Sequence, residues 1–185
     1  DAPTFEVRYP GGARDAESLL VHPVTGQVFI ASKDLFGGTL YAAPAELSRD
    51  GRNLLEPVGP VLGIATDGAF FPDGNHLVLR DYGRAVVYEF PSLVEVGEVE
   101  LPDQPQGEGI AVGADGTVYV SSEGQRSVVL RVPLPDDLWQ VVTPPVSPSP
   151  SESAGAVPPD TAAPDADQSL DAPGDSDPER PAWPW

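Results

Sequence analysis

Three times along the chain an apolar run meets a tight turn and is answered by a second apolar run. "SLLVHP", "GAFFPD" and "GIAVGA" lead into turns carrying Gly26, Gly74 and Gly116, and "QVFIAS", "HLVLRD" and "TVYVSS" lead out of them. The turns hold the Pro, Asp and Gly that set tight-turn dihedrals, so each pair reads as a β-hairpin. A third run follows in every copy: "GTLYAAP" (38–44), "AVVYEFP" (85–91) and "SVVLRVP" (127–133). Each ends in proline, which cannot donate to a ladder and so stops a strand. A weaker fourth strand fits "LLEPVGPVLG" (54–63) and "SLVEVGEVELP" (92–102). The first run of each copy is apolar at consecutive positions, which predicts a strand covered on both faces. No stretch carries a helical period, and "PAELSRDG" (44–51) allows one turn at most.

The repeating unit is therefore a four-stranded antiparallel meander of about 40–50 residues, the length of a propeller blade. "RDAESLLVHPVTGQVFIASK", "PDGNHLVLRDY" and "QGEGIAVGADGTVYVSSEG" resemble the β-propellers of exported bacterial proteins, namely the NHL, YncE-like and phytase-related "esterase-like" propellers. The resemblance implies an all-β fold of about three four-stranded blades over residues 1–139. "TFEVRYP" (4–10) reads as a lone strand left from a preceding blade. Propellers close at about four to eight blades, so three make a partial ring, with open faces that predict self-association or completion by missing blades or a partner.

Composition changes near residue 140. Residues 140–185 are rich in Pro, Ala, Ser and Asp and almost free of β-branched or aromatic residues. Such a segment cannot bury enough apolar surface to offset an ordering cost of roughly 1–2 kcal/mol per residue, so it is expected to be a disordered acidic stalk. Trp183 and Trp185 close it, and tryptophan collects at membrane–water interfaces. That ending suggests a C-terminal membrane anchor just beyond it and a location at the cell surface. The absence of methionine, even at position 1, suggests a processed or partial chain. The net charge of −19 argues against a nucleic-acid partner, because phosphate binding needs clustered Lys and Arg. The absence of cysteine excludes disulfides, thiolate metal sites and cysteine nucleophiles.

Acids recur at equivalent places. With the repeated units aligned, Glu17, Thr66 and Glu108 share the position where the chain begins its first strand. Asp15, Ile64 and Gln106 fall two residues earlier, and Asp67 one residue after Thr66. Lys33, Asp81 and Glu123 align at the end of the second strand. In a propeller these positions ring the mouth of the central channel. Glu17, Glu108 and Asp67 are the candidate metal ligands, since Ca²⁺ takes about six to eight oxygens; Asp15, Gln106 and Asp67 are the candidate contacts to a polar ligand. The phytase-like resemblance implies calcium in such a channel, organising a phosphate substrate. That chemistry also wants Lys and Arg, and only Arg14, Lys33 and Arg80 lie near the aligned rows. The alternative to a ligand site is that the acids cap strand ends and pair with these basic residues. His22 and His76 sit at hairpin turns without partners spaced for zinc. Ser18, Ser32, Ser121 and Ser122 lack the elbow motif of a serine nucleophile. The sequence thus favours a binding or scaffolding module for a small polar ligand or a protein partner, with a calcium-dependent phosphoesterase or lactonase-like hydrolase as the alternative.

Overall fold

The computed structural model describes residues 2–143; the tail expected from residue 140 onward, with its two terminal tryptophans, lies almost wholly outside them. The described chain is nearly all β. The order is β1 (Val7–Arg8), β2 (Ala16–Val21), β3 (Val28–Ser32), β4 (Gly38–Ala42), β5 (Asn53–Leu54), β6 (Glu56–Val61), β7 (Asp67–Phe70), β8 (His76–Arg80), β9 (Arg84–Glu89), β10 (Glu95–Glu100), β11 (Gly107–Val112), β12 (Val118–Ser122), β13 (Val129–Val132) and a helix, α1 (Asp136–Val142). Blade 1 is the antiparallel sheet β2-β3-β4-β6, blade 2 is β7-β8-β9-β10, and blade 3 is β11-β12-β13. The innermost strands β2, β7 and β11 lie side by side, β7 in the middle. This is the meander of propeller blades, with each blade's first strand innermost.

Apolar residues between the blades supply the core. Leu20, Phe29 and Leu40 of blade 1 meet Phe70, Leu77 and Leu79 of blade 2 in one cluster, where Phe29, Phe70 and Phe90 stack edge to face with centroids 5.2–5.4 Å apart. A second cluster joins Val78, Ala85 and Val87 of blade 2 to Ile110, Val118 and Val120 of blade 3. Coverage on both faces, expected of the first run, is nearest in the central blade, where Gly68, Phe70 and Phe71 are buried and Ala69 is half-buried; in its second strand Leu77 through Arg80 are all buried. In the first blade the inner strand alternates instead, with Leu19 and Val21 outward.

Three departures have local causes. Blade 3 has three strands among the described residues, and α1 follows β13 where a fourth strand was expected. Asp136 and Asp137 occupy the helix's first turn, where acids favour the N-terminal dipole. Leu138 and Val142, one turn apart, enter the second core cluster, and a Cβ on Gly97 would meet Leu138. Seven residues are too few for periodicity to announce a helix. Residues 44–51 form bends and no helix. "TFEVRYP" contributes only β1, which pairs parallel with β5 in the β4–β6 connection and brings Val7 and Tyr9 over Tyr41 and Ala43 on blade 1.

Both histidines are turn residues. His22 Nδ1 accepts the amides of Val24 and Thr25 at 3.2 Å, and its Nε2 lies 3.0 Å from the Gly74 carbonyl. His76 Nδ1 meets Asp73 at 2.6 Å. None of the helices in the described residues is long and apolar enough to cross a membrane.

Candidate binding cleft at the rim of the inner strands

The ladders place an irregularity at the start of two inner strands. In blade 1, Ala16 pairs with Ser32 but Ser18 with Ala31, leaving Glu17 as the extra residue of a bulge. In blade 3, Gly107 pairs with Ser122 and Gly109 with Ser121, leaving Glu108 extra in the same way. A bulge frees a side chain from strict alternation and re-aims it. Both glutamates line one open cleft of about 640 Å³, together with Thr66, the corresponding residue of blade 2.

Register also fixes the second row. Blade 2 spends one more residue between Gly74 and its first paired residue, Leu77, than the other blades spend between Gly26 and Val28 or Gly116 and Val118. Counting from the turn glycine therefore slips by one in β8, and the residue equivalent to Lys33 and Glu123 is Tyr82 rather than Asp81. Lys33, Tyr82 and Glu123 all line the cleft. Asp81 instead caps the turn before β9, accepting the amides of Gly83 and Arg84 at 2.8 and 2.9 Å. Each blade thus gives the cleft one residue from the start of its first strand and one from beyond the end of its second.

The charges are partly matched. Lys33 Nζ donates to Glu17 at 2.5 Å and to the Tyr82 hydroxyl at 3.2 Å, and stands 5.4 Å from the Tyr82 ring centroid. Its hydrogen bond to Glu17 raises the Lys33 pKa above the ordinary value, against the opposing effect of burial. Gln106 Nε2 donates to Glu123 at 2.7 Å. Neither Glu108 nor Glu123 makes an ion pair among the described residues. Ser121, Ser122 and Gly109 complete the wall.

Behind this wall sits Arg80, fully buried. Its Nε donates to the Asp81 carbonyl at 2.9 Å, and its Nη1 to Gln104 at 3.0 Å and the Gly109 carbonyl at 3.3 Å. Nη2 has no partner in the described structure and lies against Gly107, where a Cβ would have to displace the guanidinium and the Gln104 amide oxygen. Burial pulls the guanidinium's pKa down, while the charges of Glu108, Asp67 and Asp81 push it up.

The structure brings together Glu17, Glu108 and Gln106 of the expected site residues. Asp15 is exposed, and it is its backbone carbonyl that accepts the Lys33 amide at 2.8 Å. Asp67 lines a separate hollow of about 310 Å³ on blade 3, where its carboxylate accepts the Ile110 amide at 2.8 Å. Burial raises its pKa, and the amides of Ile110 and Gly68 and the charge of Arg80 lower it. Among the described residues, no three Asp, Glu or His side chains are grouped to hold a metal ion. Tyr82 escaped the sequence reading because blade 2 places its turn glycine one residue earlier in a loop as long as that of blade 1, so counting from the glycines shifts its second strand by one.

No protein-family model matches this sequence, and no curated protein matches it. Among solved structures the chain is similar to the hydrazine synthase of Kuenenia stuttgartiensis, at 11% identity and a TM-score of 0.46, covering 63% of this chain and 33% of that one. It is similar to a chain of a nidogen/laminin complex, at 17% identity and TM-score 0.43, covering 60% and 40%. It is also similar to Sqt1 of Saccharomyces cerevisiae, at 13% identity and TM-score 0.41, covering 71% and 38%. The chain covers between 33% and 40% of the length of these structures.

Proposed function

We propose that this chain is a binding module whose rim cleft takes a small polar ligand bearing a compact positive charge, such as an amine or guanidinium group. One observation carries the reading: three blades deliver equivalent residues, Glu17, Thr66 and Glu108 with Lys33, Tyr82 and Glu123, to one cleft of about 640 Å³. Lys33 offsets Glu17, which leaves Glu108 and Glu123 as the charges a ligand would meet. The exposed ring of Tyr82, 48% accessible, offers a face to a cation. A location outside the membrane, on a tethering stalk, belongs to the same proposal and is supported by the acidic Pro- and Ser-rich composition of residues 140–185.

Amide chemical-shift mapping with 1,4-diaminobutane and with calcium chloride, as separate probes, tests it. The diamine should shift residues 17, 108, 109, 122 and 123 together and saturably, and Glu108→Gln with Glu123→Gln should abolish the response without changing the melt. Shifts that are absent or scattered over the surface would show that the cleft is not a site. If calcium saturates the same amides and raises the melting temperature, a metal reading built on Glu17 and Glu108 takes its place.

A further inference from the structure

The connection from β3 to β4, residues 33–37, starts at the cleft with Lys33 and then carries Leu35 and Phe36 out into solvent. They are 68% and 98% exposed. The turn that holds them is braced from below. The Ser32 hydroxyl, fully buried, donates to the Asp34 carboxylate at 2.7 Å and accepts the Thr39 amide at 3.0 Å. The Asp34 carbonyl accepts the Ile64 amide at 3.1 Å, which ties the turn to the segment leading into blade 2. Single apolar side chains in water need no explanation. Here two large ones are adjacent, and bonds to a buried group hold their turn in place.

This apolar ledge adjoins the cleft. Lys33, which lines the cleft, reaches the Tyr82 hydroxyl at 3.2 Å. Phe36 stands three residues beyond Lys33, a span of at most about 10 Å. A small amine would occupy the cleft and leave the ledge bare. An extended chain, at about 3.3 Å per residue, could place one side chain in the cleft and a neighbouring one on the ledge.

We propose, building on the reading of the cleft as a cation site, that its occupant is a peptide segment of a partner protein. A Lys or Arg side chain of that segment enters toward Glu108 and Glu123, and an adjoining apolar side chain packs on Leu35 and Phe36. Charge complementarity selects this partner. Lys33 is committed to Glu17, whereas Glu108 and Glu123 have no ion pair among the described residues. The same acids, with Asp34 beside the ledge, oppose an anionic lipid surface.

Amide chemical-shift titrations of the full chain test this with two capped peptides, Ala-Phe-Lys-Phe-Ala and Ala-Gly-Lys-Gly-Ala. The first should bind about tenfold more tightly, as expected for partial burial of an aromatic side chain, and should shift residues 35–37 together with 108 and 123. A variant carrying Leu35→Ser and Phe36→Ser should keep the parent melt, since both side chains are exposed. It should lose the tenfold preference while binding the glycine peptide and 1,4-diaminobutane as the wild type does. Equal affinity for the two peptides, or a preference that survives in the variant, would overturn the proposal while the diamine response still upholds the cleft. Loss of the diamine response itself would overturn the cleft reading and this one with it. Sedimentation with phosphatidylcholine vesicles that disappears in the variant would assign the ledge to a lipid surface instead.

Discussion

The Arg80 guanidinium lies buried between blades 2 and 3 and donates to Gln104 and to the carbonyls of Asp81 and Gly109. Arg80→Met would orphan these acceptors and remove the positive charge nearest Asp67 and Glu108. A buried acceptor left without a donor costs about 1–3 kcal/mol, so urea unfolding should show a loss of about 3 kcal/mol. Arg80→Lys should rescue little, since an ammonium cannot reproduce the planar fork. Asp67 behaves oppositely. Burial raises its pKa in the fold above the ordinary 3.8, so the folded state binds more protons than the unfolded chain between 3.8 and the raised value. Stability contributed at this site is then greatest below that window and falls as pH rises through it. Asp67→Asn keeps an acceptor for the Ile110 amide and carries no charge. Its melting temperature relative to wild type should be highest at neutral pH and should decline as pH approaches 3.8; a difference independent of pH would remove the burial argument.

At the scale of elements, the bulges make a sharp comparison possible. Deleting Glu108 leaves Gly107 and Gly109 adjacent, opposite Ser122 and Ser121, so the β11–β12 ladder becomes regular and the core pairs do not move. Deleting Ile110 instead slips the remainder of the strand by one residue and turns its core positions outward. Denaturant melts should show about 1 kcal/mol lost for the first and more than about 4 kcal/mol for the second. The hairpins themselves were legible because Gly26, Gly74 and Gly116 take left-handed φ values of 71°, 68° and 83°, a demand that writes glycine into the sequence. The extra residues at Glu17 and Glu108 were not legible as bulges, because a strand that gains one residue keeps its composition. The helix α1 was hidden for another reason: only Leu138 and Val142 of its seven residues face the core.

For the molecule as a whole, a repeated blade could be read from sequence, but which of its faces are covered could not. Apolar runs such as "SLLV" and "GIAV" are written alike wherever they stand in the row, and their burial depends on whether a neighbour is present. Leu77 and Val78 are both buried because blade 2 has neighbours on either side, whereas Tyr119 is exposed because, among the described residues, blade 3 has none on its forward face. Net charge was legible too, but not its local arrangement, since the match of Lys33 to Glu17 depends on the register between β2 and β3.

The two rows around the cleft have a consequence for how its chemistry can change. Glu17, Glu108, Lys33 and Glu123 stand at strand ends, outside the clusters that hold blade to blade. Each can be exchanged without repacking an interface, so the cleft behaves as a set of separately addressable sockets. Swapping the residues of one blade for those of another rewrites the sign and reach of the lining while the scaffold stays constant. Blades built this way can diversify a ligand preference one position at a time, and a library confined to these few codons would sample that diversity without repacking the contacts between blades.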